Sequence, residues 1–181
     1  MAARSSMSTL ITRVRALISD TAGATQTFSD DEIEDVLDAR RDDIRYEFLT
    51  PVDTIAAGGS ITWLTWYGGA NWESSATFTD SSYNAITPTA ADYMIGKFDF
   101  ATHQASGVLI TGYMYDVYGA AADMLDLWSA KLKLGVDFTA DGATFHLSQR
   151  LSLFKQLAQD YRGKSTSSGV VHLRRSDVNC K

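Results

Sequence analysis

The stretch Tyr113–Arg162 constrains this chain more than any other. Val117, Ala120, Ala121, Met124, Leu125, Trp128 and Leu132 recur at three- and four-residue spacing, which is one face of an α-helix. Ala120, Ala121 and Ala122 are small enough for a second helix to approach closely. Gly135 is placed to stop the helix, because glycine tolerates the left-handed conformation found just past helix ends. Asp137–Gly142 reads as a short link with an Asp-Gly turn. A second apolar stripe follows at Leu147, Leu151, Phe154, Ala158 and Tyr161, with Gly163 as its terminator. Two striped helices on a short link predict an αα-hairpin whose remaining apolar face must be covered by other parts of the chain.

The N-terminal part supplies candidates for that cover. Leu10, Ile11, Val14, Leu17 and Ile18 predict a helix over residues 8–19, with Ser8 as its N-cap. Phe28-Ser-Asp-Asp-Glu-Ile33 is a strong helix start. Ser29 caps it, Glu32 completes a capping box, and Phe28 with Ile33 forms a hydrophobic staple. Ile33, Val36, Leu37, Ile44 and Phe48 extend this helix over 30–49, interrupted by Arg40 and Arg41, until Thr50-Pro51 ends it. Between Pro51 and Gly112 charge thins out, and Thr, Ser, Gly and aromatic residues take over. Strands are expected near 60–67, 75–79, 91–100 and 107–112. No crossover helices separate them, so they pair antiparallel. The expected fold is α+β: an antiparallel four-helix bundle (8–19, 30–49, 113–134, 144–162) with a small antiparallel β module at 51–112 inserted between its second and third helices. Residues 1–163 form that body, and 164–181 a flexible C-terminal arm of linker-like and then basic composition.

The formal net charge of −6 argues against a general nucleic-acid binder, which needs a basic surface to displace counterions. Cys180 is the single cysteine, so no internal disulfide forms, and an intracellular origin is favoured. The N-terminus lacks the apolar core of a secretory signal, and no run is long enough to span a membrane. His103, His146 and His172 sit in no ligand spacing. Neither GxSxG nor a phosphate-binding GxxxxGK[ST] occurs; Gly163-Lys164-Ser165 has Ala158 where the upstream glycine belongs. Asp137–Gly142 resembles the start of a calcium loop, but Thr139 and Ser148 stand at two ligand positions. An enzyme is not expected, and neither a metal nor a cofactor.

Two clusters remain. Residues 30–47 hold nine of the 22 acids against Arg40, Arg41 and Arg45, so the segment is either a solvated helix face or a negative wall. Its candidate channel-facing residues are Asp30, Asp31, Glu34, Asp35, Asp38 and Asp42. Trp63, Trp66, Tyr67 and Trp72 are either core and subunit-contact residues or an aromatic platform for a carbohydrate or host surface.

Phe28–Glu34, Asp116–Leu125 and Asp137–Gly142, in this order across Ser8–Arg162, make the chain resemble the head–tail connector (adaptor, or head completion) proteins of tailed double-stranded DNA bacteriophages. The resemblance implies a structural virion protein of the neck, made in the host cytoplasm. It implies a homo-oligomeric ring, commonly of twelve copies, beneath the portal. Such a ring extends the DNA channel without binding DNA specifically and docks a tail terminator, stopper or tail protein. It also implies an arm that reaches the portal, here assigned to Val170, Val171, His172, Leu173, Arg174, Arg175 and Val178.

Overall fold

The computed structural model describes residues 3–55, 58–132, 138–140, 143–145 and 147–165. The helices are α1 (Ser8–Ile18), α2 (Asp30–Asp38), α3 (Val117–Leu132) and α4 (Leu147–Lys164). The strands are β1 (Arg41–Phe48), β2 (Thr50–Ile55), β3 (Ile61–Tyr67), β4 (Thr77–Asp80), β5 (Ala85–Ile86), β6 (Ala90–Asp92), β7 (Lys97–Asp99), β8 (Val108–Tyr115), β9 (Phe138–Ala140) and β10 (Ala143–Phe145). β1–β8 form two four-stranded antiparallel sheets, ordered β1-β8-β4-β5 and β2-β3-β7-β6, and β9 pairs with β10.

This corrects the expected architecture. The fold is α+β with two substantial sheets, not a four-helix bundle carrying a small β module. The expected helix over 30–49 ends at Asp38, and 41–48 forms β1 instead. Ile44 and Phe48 are four apart, which reads as a helical stripe, yet only Ile44 packs on a core, and Phe48 is exposed. In β1, Asp42 and Ile44 turn inward while Arg41, Asp43 and Arg45 face water, which is the two-residue period of a strand. The partner decides the matter. Strand β8, rich in β-branched and aromatic residues, pairs Arg41–Phe48 along one side and β4 along the other. Tyr113, Met114 and Tyr115, expected to open the third helix, are the end of β8. The following Asp116 caps α3, its Oδ1 accepting the Gly119 amide at 2.9 Å. The single strand expected over 91–100 is a hairpin of β6 and β7, and Pro51 sits in edge strand β2, where a missing amide donor is tolerated. Gly163 lies inside α4 rather than ending it; Gly135 and Asp141-Gly142 lie outside the described residues.

Two cores result. α1, α2, α3 and α4 bury Leu10, Val14, Ile33, Leu37, Met124, Leu125 and Ala158 together, and the alanine run of α3 is fully enclosed. The capping box is present: Ser29 accepts the Glu32 amide at 3.2 Å, and Glu32 accepts the Ser29 amide at 2.8 Å. The hydrogen bond from the Ser29 backbone outweighs slight desolvation and lowers the Glu32 pKa, as suits a carboxylate in a first helical turn. The second core lies among the strands. Phe78 of β4 meets Phe98 of β7 at 4.7 Å between ring centroids, joining the sheets, with Trp66, Trp72, Val108 and Ile110 around them.

Candidate functional site

α2 presents its acids to two arginines from the N-terminal segment. Arg4 donates to Glu34 Oε1 at 2.5 Å and to Asp38 Oδ1 at 2.5 Å. Burial opposes its charge, but these bonds, with Glu73 and Tyr115 nearby, outweigh that and raise its pKa. Arg15 is buried and donates to Asp20 Oδ2 at 3.0 Å, to the Phe28 carbonyl at 2.8 Å and to Asp30 Oδ1 at 2.6 Å. Of the six candidate wall residues, Asp30, Glu34 and Asp38 are thus paired to arginines. Asp35 is exposed on α2, Asp31 is half-buried there, and Asp42 stands on β1, so the six do not share one helix face.

Behind the Arg4 pair lies a polar cluster that the sequence did not signal. Glu73 is buried and accepts the Ser6 hydroxyl at 2.5 Å and the Tyr115 hydroxyl at 2.8 Å. Arg4 Nη1 approaches it at 3.8 Å. The cluster ties the N-terminal residues to the end of β8 and, through Asp38, to α2. Burial first, and then the hydrogen bond to Glu73, push the Tyr115 pKa well above the ordinary phenol value. A tyrosine in an unfolded chain titrates near pH 10. The folded value is higher, so the stabilisation is complete below about pH 10 and fades as pH rises towards the folded pKa. Replacing Tyr115 by Phe removes this dependence and leaves Glu73 short of a donor. Tyr115→Phe is expected to cost about 1–3 kcal/mol at pH 7 in urea unfolding and to flatten the loss of stability above pH 10. Tyr93 and Tyr161, also raised by burial, preserve part of the slope.

The four aromatic candidates separate. Trp66 and Trp72 are core residues, and Trp72 Nε1 donates to the Gly69 carbonyl at 2.6 Å. Trp63 is half-buried, held by Asp53 Oδ1 at 2.8 Å and tilted against His103 at 5.3 Å. Tyr67 is exposed at the end of β3. A shared aromatic platform is therefore not assembled from them, and only Trp63 and Tyr67 can meet a partner.

The exposed apolar surface lies elsewhere. β1 and β2 are the outer strands of their respective sheets and follow one another directly through buried Leu49, whose amide donates to the Val108 carbonyl at 2.9 Å. Along this run Tyr46, Phe48, Val52 and Ile55 are exposed, Ile55 at 76%. Ile61, the cross-strand partner of Ile55, is exposed too, so the β2–β3 ribbon ends in an open pair of isoleucines. Tyr46 sits at the register shift of β1 with φ +55°, and its ring meets that of Tyr83, itself at φ +64°, at 5.1 Å. Two tyrosines in the left-handed region are uncommon. Asp80 imposes this conformation on the second by accepting the amides of Ser82 and Asn84 at 2.8 and 2.9 Å. The turn at 80–84 was legible in the sequence, whereas the edge position of 41–55 was not.

The arm residues Val170, Val171, His172, Leu173, Arg174, Arg175 and Val178 lie outside the described residues. Among the described residues, no group of three or more His, Cys, Asp or Glu side chains is arranged to hold a metal ion, and no helix is long and apolar enough to cross a membrane. No protein-family model, curated protein or solved structure matches this chain.

Proposed function

We propose that this protein is a structural assembly unit, a head-to-tail adaptor of a tailed bacteriophage. Its copies form a ring under the portal, prolong the DNA channel and present a docking surface to the tail or stopper. One observation carries the assembly part of this reading: on β1 and β2, consecutive end strands of the two sheets, Tyr46, Phe48, Val52 and Ile55 are open to water, as is Ile61 of neighbouring β3. Charges on β1, its register shift and Pro51 on β2 oppose strand-to-strand addition here, so the association runs through the exposed apolar side chains. A closed ring uses heterologous contacts, in which this apolar surface meets a different surface of the next copy. The phage assignment is supported by the order of the three motifs in the sequence. The pairing of α2 acids with Arg4 and Arg15 leaves Asp35 and Asp42 as the acids for repelling DNA in a channel.

Ile55→Lys/Ile61→Lys tests the assembly surface. Both side chains are exposed, so unfolding free energy should stay within about 0.5 kcal/mol of the parent. Ring formation on the portal protein of the same virus, counted by electron microscopy, should be lost. Normal rings from the double variant would remove that surface from the interface. Virions whose neck contains no copy of the chain would end the adaptor reading itself. Deletion of 166–181 should leave the fold intact and abolish portal attachment; the cut falls after Ser165 because that hydroxyl is bonded to Asp116.

A further inference from the structure

A groove of about 400 Å³ opens beside the end of α4, in the size range of ordinary ligand pockets. Ala70, Met114 and Tyr118 supply apolar lining, and Asp42, Asp116 and Lys164 supply charge. The three charges are not equivalent. Asp116 already accepts the Gly119 amide and the Ser165 hydroxyl and lies 4.0 Å from Arg40. Lys164 is drawn over the rings of Tyr118 and Tyr161, at 6.0 and 5.9 Å from their centroids. Asp42 has no cationic partner among the described residues. A groove of mixed apolar and charged lining, in which one carboxylate lacks a described cationic partner, fits an extended segment that carries both aliphatic and cationic side chains.

This chain owns such a segment, and it starts at the groove. Ser165 is fastened to Asp116 in the wall, and 16 residues, 166–181, follow it. Val170, Val171 and Leu173 are aliphatic, and Arg174 and Arg175 are cationic. Four residues lie between Ser165 and Val170, and the five chain steps reach about 17 Å when extended, enough to turn and lie back along the groove. A tether this short gives an effective concentration in the millimolar range, which favours the chain's own segment over any free competitor.

We infer that the groove bounded by Asp42, Met114 and Tyr118 is the docking site of this chain's own segment Val170–Arg175 in the unassembled subunit. Asp42 receives the arginine pair, and the aliphatic residues lie on Met114 and Tyr118. The arm is thereby withheld from other surfaces until a stronger partner displaces it. The inference concerns the free subunit and stands whether or not the protein is an adaptor.

Cys180, the single cysteine, makes the test direct. A nitroxide label on Cys180 of the full, isotope-labelled chain should broaden the signals of Gly69, Ala70, Asn71 and the Met114 methyl group. Reducing the label should restore them. Arg174→Glu/Arg175→Glu should abolish the broadening without touching the folded body. Adding Asp42→Lys to that variant should bring it back by reversing both charges. Signals of Gly69–Asn71 untouched by the label would overturn the inference. So would broadening that persists in the arginine variant. Broadening seen only when a spin-labelled copy is mixed with a separate isotope-labelled copy would assign the groove to a neighbour's arm instead.

Discussion

Arg15→Ala should lower the unfolding free energy by about 3–5 kcal/mol, measured by urea denaturation at pH 7. The reason lies in what the substitution leaves behind. Asp20 is 3% exposed and holds the amides of Thr27 and Phe28 at 2.7 and 3.1 Å as well as Arg15. Without the guanidinium, a buried carboxylate loses its counter-charge and the Phe28 carbonyl loses a donor. Both partners anchor the loop that delivers Ser29 to its capping position, so the start of α2 should loosen as well. Lys at position 15 should recover part of the loss, because one ammonium cannot span Asp20, Phe28 and Asp30 as the planar fork does. A loss below about 1 kcal/mol for Arg15→Ala would show that the site is wetter than its burial implies.

Gly96→Ala should be comparably damaging, and for a different reason. Gly96 has φ +71°, and a Cβ there would stand 1.9 Å from the Gly69 carbonyl oxygen and 2.9 Å from that of Gly68. Those atoms are backbone and cannot rotate aside. The Gly68 amide also donates to the Gly96 carbonyl at 2.9 Å, so the two segments are locked together. The left-handed backbone adds about 1–2 kcal/mol, and forced separation of packed segments adds about 1–3 kcal/mol. Gly59→Ala is the matched control: its φ is +79°, but no atom of the described residues lies within 4 Å of the added carbon. It should cost only the backbone share. Equal losses for the two variants would refute the close approach at Gly96 as the cause.

Elements whose signals are local were legible in the sequence. The Ser29–Glu32 capping box, α1, the alanine-rich face of α3, strand β3 and the turn at Asp80–Asn84 all follow from residues within one or two turns of each other. The strand at 41–48 has the opposite origin. Arg-Asp-Asp-Ile-Arg-Tyr-Glu-Phe carries charges that suit a helix surface or a strand edge equally, and its Ile44–Phe48 spacing favoured the helix. β8, more than sixty residues away, supplied the pairing that local propensity could not reveal. Pairing with that one strand makes 41–48, the second half of the expected helix, an end strand, while Asp30–Asp38 stays helical as α2.

The candidate site was legible as composition but not as geometry. Acid-rich and tryptophan-rich stretches are visible in one dimension, yet the same letters serve as a solvated face, an ion pair or a core residue. Trp66 and Trp72 went inside because Phe78 and Phe98 bring the two sheets together over them, and Glu34 and Asp38 were neutralised by an arginine thirty or more positions away. The amino-acid order by itself determined where α2 starts, which helix faces are apolar and that no known catalytic motif is present. Only the tertiary structure decided that 41–55 supplies the end strands of two sheets and that Arg15 and Glu73 are buried. The physical reason is range: capping and periodicity act between neighbours in the chain, whereas strand pairing and charge burial are set by partners that folding alone brings close.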